Sequence, residues 1–155
     1  MCLLTLTSFW ALLVLATNGA GWDWKRPLSV QGEFNKSKCV FAGKVVKAKN
    51  IVPPRDEHFI QRTFYTIRVE EVLKGSPSKE VESYDENSSG RFPMKGGMSY
   101  LVFAYEGVFE GVDGPRLAVK SCGNSAALQK AAKTLATIRK LKYSGPRIQM
   151  QPIPP

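Results

Sequence analysis

The sequence predicts a mainly β domain: a small closed barrel of five short strands with one C-terminal α-helix. Three observations lead there. Residues 40–46 (VFAGKVV), 65–75 (YTIRVEEVLKG) and 100–105 (YLVFAY) are apolar, β-branched and aromatic runs of strand length. The connections between them are long and punctuated by Gly, Pro and Ser. After Ser125 the apolar spacing lengthens to three or four residues, the period of a helix.

The elements follow in order. Residues 1–21 hold no charged side chain, and an apolar run is followed by the small polar stretch TNGAG. That pattern predicts a secretory signal peptide cleaved near Gly19, Ala20 or Gly21. The alternative is an uncleaved anchor, but the apolar run is shorter than the ~20 residues a membrane span needs. Residues 22–37 lack a clear period and read as an extended arm. A first strand covers residues 39–49, with apolar side chains on both faces. Phe41, Gly43 and Val45 share one face, and Gly43 marks a bulge or bend. Residues 50–62 form a polar connection holding the only histidine, His58. The second strand, residues 63–73, puts Tyr65, Ile67 and Val69 on one face and Arg68 and Glu70 on the other. A Lys-Gly-Ser-Pro turn leads to a short third strand at 79–85, then a long loop over 86–97. Residues 98–105 make a strongly apolar fourth strand, and 116–120 a fifth after a Gly-rich hairpin. Tyr65, Tyr100, Phe103 and Tyr105 are expected in the core. A helix capped by Ser125 is expected to run to about Lys142, with Leu128, Ala131, Leu135 and Ile138 as its apolar stripe over the barrel. The Pro-rich residues 144–155 read as a loose tail.

Charge and cysteines bound the function. The net charge is +9, unevenly spread. Residues 56–115 hold six basic and eleven acidic side chains, whereas 116–155 hold eight basic and none acidic. A basic surface attracts polyanions, though solubility alone also accounts for a moderate excess. After signal cleavage only Cys39 and Cys122 remain, so an oxidising compartment implies one disulfide, the alternative being two separate buried thiols. One histidine and two cysteines do not make a zinc site. No G-x-S-x-G elbow or phosphate-binding glycine loop is present, and Glu70 and Glu71 point to opposite faces of a strand. The expectation is therefore a binding protein with no enzymatic activity, no cofactor and no metal of its own. The strand aromatics lie in very apolar runs, unlike the exposed aromatic and basic mixture of nucleic-acid barrels. No nucleic acid is expected, and the chain is expected to be a monomer.

Read in sequence, these motifs resemble the tissue-inhibitor-of-metalloproteinase (TIMP) family and its netrin-type relatives. The quoted elements are the VFAGKVV strand, Val72-Leu73-Lys74-Gly75, Ser88-Ser89-Gly90-Arg91-Phe92-Pro93, residues 97–103 (GMSYLVF) and the late Cys122. The resemblance covers roughly residues 38–142. It implies a five-stranded Greek-key OB-fold barrel with a C-terminal helix, placing the domain at 38–143. It also implies a secreted or periplasmic protein-binding module, with a metalloproteinase as the model partner. Family inhibitors begin with C-x-C, whose first residue chelates the protease zinc through its α-amine and carbonyl. This chain has no cysteine between Gly21 and Lys38, and Gly90 stands at the loop cysteine position. Both ends of one anchoring disulfide are thus absent together. Cys122 matches the late cysteine, and the resemblance makes Cys39 its substitute partner. By this reading the partner site comprises Trp22, Asp23, Trp24, Asn87, Ser88, Ser89 and Gly90. Ordering an unanchored terminus would cost ~1–2 kcal/mol per residue. The packed alternative for Trp22 and Trp24 is that the arm lies back on the barrel. The alternative function is polyanion binding to a glycan or cell surface through Lys130, Lys133, Arg139, Lys140 and Lys142 on the helix.

Overall fold

A computed structural model describes residues 28–54 and 59–144, with side chains through Lys142. The expected signal segment, Trp22, Asp23, Trp24, His58 and the Pro-rich residues beyond 144 lie outside the described residues. The chain runs α1 (Val30–Lys36), β1 (Cys39–Ile51), β2 (Arg62–Lys74), β3 (Glu80–Glu86), β4 (Ser99–Gly107), β5 (Arg116–Ala118), β6 (Ala126–Ala127) and α2 (Ala132–Ser144). Every strand expected from sequence is present, within a few residues of its expected ends.

The sheet closes on itself. β1 pairs antiparallel with β2 and β4, β2 with β3, and β4 with β5, while β3 and β5 pair in parallel. The ring therefore passes through β1, β2, β3, β5 and β4 and back to β1, with β6 added on β4. Closure needs strong local curvature, and β1 supplies it through register shifts at 40/41, 42/43 and 45/47. Gly43 sits at one of these. A Cβ there would lie 2.7 Å from the Arg68 carbonyl oxygen, so only glycine admits the strand crossing.

Alternation then sorts side chains into two cores. Phe41, Val45, Tyr65, Ile67, Tyr100 and Val102 fill the barrel interior. Val40, Leu73, Leu101 and Phe103 point outward and are covered by Ala131 and Ile138 of the C-terminal segment. The expected stripe does cover the barrel, with Leu128 and Leu135 flanking it. Burying one such side chain is worth ~1.5–3 kcal/mol.

Three expectations need correction. The arm is not wholly extended: residues 30–36 form α1, capped by Ser29, whose Oγ accepts from Gly32 N at 3.1 Å. Val30 and Phe34 dock it onto the outer core. Ser125 does not cap the helix. It is buried, and its Oγ accepts from Phe103 N at 2.9 Å, which holds 126–127 as a strand. A 3₁₀ turn at Leu128–Lys130 follows, and α2 begins only at Ala132. Tyr105 is only half-buried, because it follows Phe103 on the outer side of β4 beyond the cover of α2.

The Val72-Leu73-Lys74-Gly75 motif has a clear structural role. Lys74 Nζ donates to three carbonyls at the C-terminal end of α1: Phe34 O (2.6 Å), Asn35 O (2.8 Å) and Ser37 O (2.8 Å). A cation there satisfies orphan acceptors and opposes the helix dipole. Gly75 follows at φ +76°, and a Cβ on it would meet Lys38 O at 2.9 Å.

Candidate partner-binding cleft

A cleft of about 310 Å³ opens at the barrel mouth between the loop after β3, the turn after β4 and the end of β5. Its shape follows from the strands beneath. Tyr84 is almost fully buried on β3 and forms the floor. Its ring lies 4.4 Å from that of Phe109 and 5.5 Å from that of Phe64. Ala118 and Val119 continue the apolar floor, while Glu86, Arg91, Glu106 and Lys120 carry charge around it.

The loop is held without a cross-link. Asn87 N donates to Gln61 O at 3.0 Å, and Arg91 Nη1 donates to Asn87 Oδ1 at 2.9 Å. Phe92 N donates to Asp85 Oδ1 at 3.0 Å. Burial pushes the Asp85 carboxyl above its usual range, against the pull of that hydrogen bond and of Arg91. Ser121 N donates to Gly90 O at 3.1 Å, so the loop is fastened to the segment that carries Cys122.

The same segment is tied to α1. Glu33 is fully buried, and its Oε2 accepts from both Asn124 N and Asn124 Nδ2 at 2.6 Å. A Cβ on residue 123 would overlap Glu33 Oε1, which explains glycine there. Beside this junction the Tyr105 hydroxyl is pushed up to about 12, mainly by burial. Lys120 Nζ lies 4.8 Å from the centre of its ring.

Of the residues predicted for partner contact, Asn87, Ser88, Ser89 and Gly90 are all exposed, and Ser88 and Gly90 line the cleft. Trp22, Asp23 and Trp24 fall outside the described residues. The five basic residues of the C-terminal segment are also exposed, but they do not form one open surface. Arg139 makes a forked contact with Glu71, at 2.7 and 3.2 Å, and holds that carboxyl below the usual range. Lys142 Nζ donates to Val72 O at 3.1 Å. The Lys130 and Lys133 side chains have no ion pair or hydrogen bond among the described residues.

The expected disulfide is absent from this structure: Cys39 is a buried free thiol and Cys122 an exposed one. Cys39 pairs in register with Ala104 and faces the barrel interior. Among the described residues, no group of three or more His, Cys, Asp or Glu side chains is placed to hold a metal ion. No described helix is long and apolar enough to cross a membrane.

Sequence reasoning missed Glu33, Tyr84, Arg91, Phe109 and Lys120. Glu33 left one trace, as the lone acid between Lys25 and Arg55. The others share the cleft only because the ring closes. The sequence matches no protein-family model and no curated protein.

Proposed function

We propose that the chain is a secreted, non-enzymatic protein-binding module of the TIMP-like OB-fold class, which engages its partner through the barrel-mouth cleft and the Asn87, Ser88, Ser89, Gly90 loop. The ring order, with its single parallel pairing of β3 and β5, supports the OB-fold reading. The observation that carries the binding reading is the cleft itself: an apolar floor, a charged rim and an exposed loop held by hydrogen bonds. Such a site accepts one partner side chain on the aromatic floor while the rim fixes its orientation. A loop already held in place loses little freedom on binding. A metalloproteinase is the partner class that the resemblance implies. Polyanion binding by the helix is less well served, because Arg139 and Lys142 are engaged against β2.

The test is surface plasmon resonance of the processed protein against a panel of metalloproteinase catalytic domains. Gly90→Arg is the chosen variant, because a Cβ at residue 90 would meet only Ser88 Oγ, at an ordinary 3.9 Å, and the fold should survive. It should weaken binding at least about tenfold by obstructing the cleft. An added N-terminal residue should abolish binding if the α-amine chelates zinc, and leave it intact if the cleft acts alone. Failure of every panel member to bind, or equal affinity for Gly90→Arg, would refute this reading.

A further inference from the structure

The outer face of the barrel carries a second recess, which meets the cleft floor through the Phe64–Tyr84 contact. It has a volume of about 240 Å³ and is lined by Lys47, Lys49, Phe64, Thr66, Glu82 and Arg116. The register explains why these six residues meet. The shift at 45/47 turns Lys47 to face Thr66 and Lys49 to face Phe64, while Ile67 and Tyr65 keep to the interior. Thr66 lies opposite Glu82 on β3. Lys47 and Lys49, two residues apart on one strand face, stand ~7 Å apart. Val45 still bonds to Gly97 and Met98, and beyond it β1 has no partner strand on its β4 side among the described residues.

The cations here are underused. The Lys47 and Lys49 side chains are exposed, with no ion pair or hydrogen bond among the described residues. Among the described residues the Arg116 side chain pairs only with Glu82, at a long 3.9 Å, and its Nε is buried without a hydrogen-bond partner. Phe64 is half-buried, and its edge-on contact with Tyr84 fixes the ring.

We infer that this recess binds an acidic oligosaccharide, one whose sulfate or carboxylate groups repeat along the chain. The two lysines and Arg116 take the anionic groups. The Phe64 ring packs against the apolar face of one sugar, and Glu82 and Thr66 accept hydrogen bonds from its hydroxyls. Glu82 favours the sugar through hydrogen bonding, not charge: its carboxylate repels sulfate and phosphate alike, but a hydroxyl-rich sugar offers it donors that a DNA backbone lacks. A single aromatic ring also offers no stacking platform for successive bases. The recess adjoins the cleft, since Phe64 packs edge-on against Tyr84 of the cleft floor, but Lys47 and Lys49 line the recess alone, so their replacement tests it separately.

Calorimetric titration of the processed protein with a size-fractionated heparin tetrasaccharide tests this, with circular dichroism as the check on folding. The double variant Lys47→Gln, Lys49→Gln should lose about tenfold in affinity, and Lys130→Gln, Lys133→Gln less than about twofold. Phe64→Leu should lose about threefold with an unchanged salt slope, and Phe64→Tyr should restore binding. Equal losses from the two lysine pairs would overturn the proposal in favour of a diffuse field. Tighter binding of oligothymidylate through the same residues would overturn the sugar assignment, and no effect of Phe64→Leu would overturn the role of the ring.

Discussion

Replacing Lys74 with Met tests how the arm is fastened to the barrel. Met keeps most of the stem that lies near the Phe34 ring, where Nζ sits 5.5 Å from the centroid. It removes only the charge and the three hydrogen bonds to Phe34 O, Asn35 O and Ser37 O. A hydrogen bond to a charged group nets ~1.5–3 kcal/mol, but the contact to Asn35 O is exposed and one cation does not deliver three full increments. The favourable charge at the end of α1 adds ~0.5 kcal/mol. The expected loss is about 2 kcal/mol in urea unfolding, with amide exchange rising first across residues 33–37, where Ser37 N bonds to Glu33 O. Lys38→Met is the control. It removes an exposed pair with Glu106 at 3.2 Å and should cost less than about 0.5 kcal/mol. Equal effects of the two variants, or a Lys74→Met loss below about 0.5 kcal/mol, would refute the capping argument.

Two further outcomes are expected. Burial raises the folded-state pKa of Asp85 above its ordinary 3.8, so its contribution to stability is full below that value and is lost as pH rises through the folded pKa. Asp85→Asn should flatten that acidic-side decline in the pH–stability curve while Phe92 N keeps an acceptor; an unchanged curve would show that the carboxylate is not desolvated. Cys122 should react with a thiol reagent in the native protein, whereas Cys39, whose pKa burial raises, should react only after unfolding. Non-reducing peptide mapping of the native protein would reveal the linked pair if oxidation joins them, and recovery of that linked peptide would contradict the free thiols of the structure.

Legibility tracked the range of the physics involved. The strands could be read because two-residue alternation is local: Tyr65, Ile67 and Val69 announce one face without knowledge of their neighbours. The stripe of Leu128, Ala131, Leu135 and Ile138 announces an apolar surface for the same reason, and Ala131 and Ile138 are buried on the barrel. The start of that helix was misread because Ser125 has the composition of a cap. Its hydroxyl is taken by Phe103 N, 22 residues away, and no local pattern encodes that choice. The short α1 was missed because its residues gain a helix's stability from Lys74 and the outer core, both distant in sequence.

Candidate function divides along the same line. The sequence by itself determined the strand alternation, the helical stripe, the exposed loop at Asn87, Ser88, Ser89 and Gly90, and the excess of positive charge. Tertiary structure alone decided which charges are engaged and which stand open. It turned Arg139 and Lys142 toward β2 and left Lys47 and Lys49 exposed beside Phe64. It also placed Tyr84, Phe109 and Lys120 around one cleft and left Cys39 buried and Cys122 exposed. The physical reason is that a side chain's direction is set by its own strand, while its neighbours are set by how the ring closes. Closure depends on bulges and glycine contacts whose partners lie far apart in the chain.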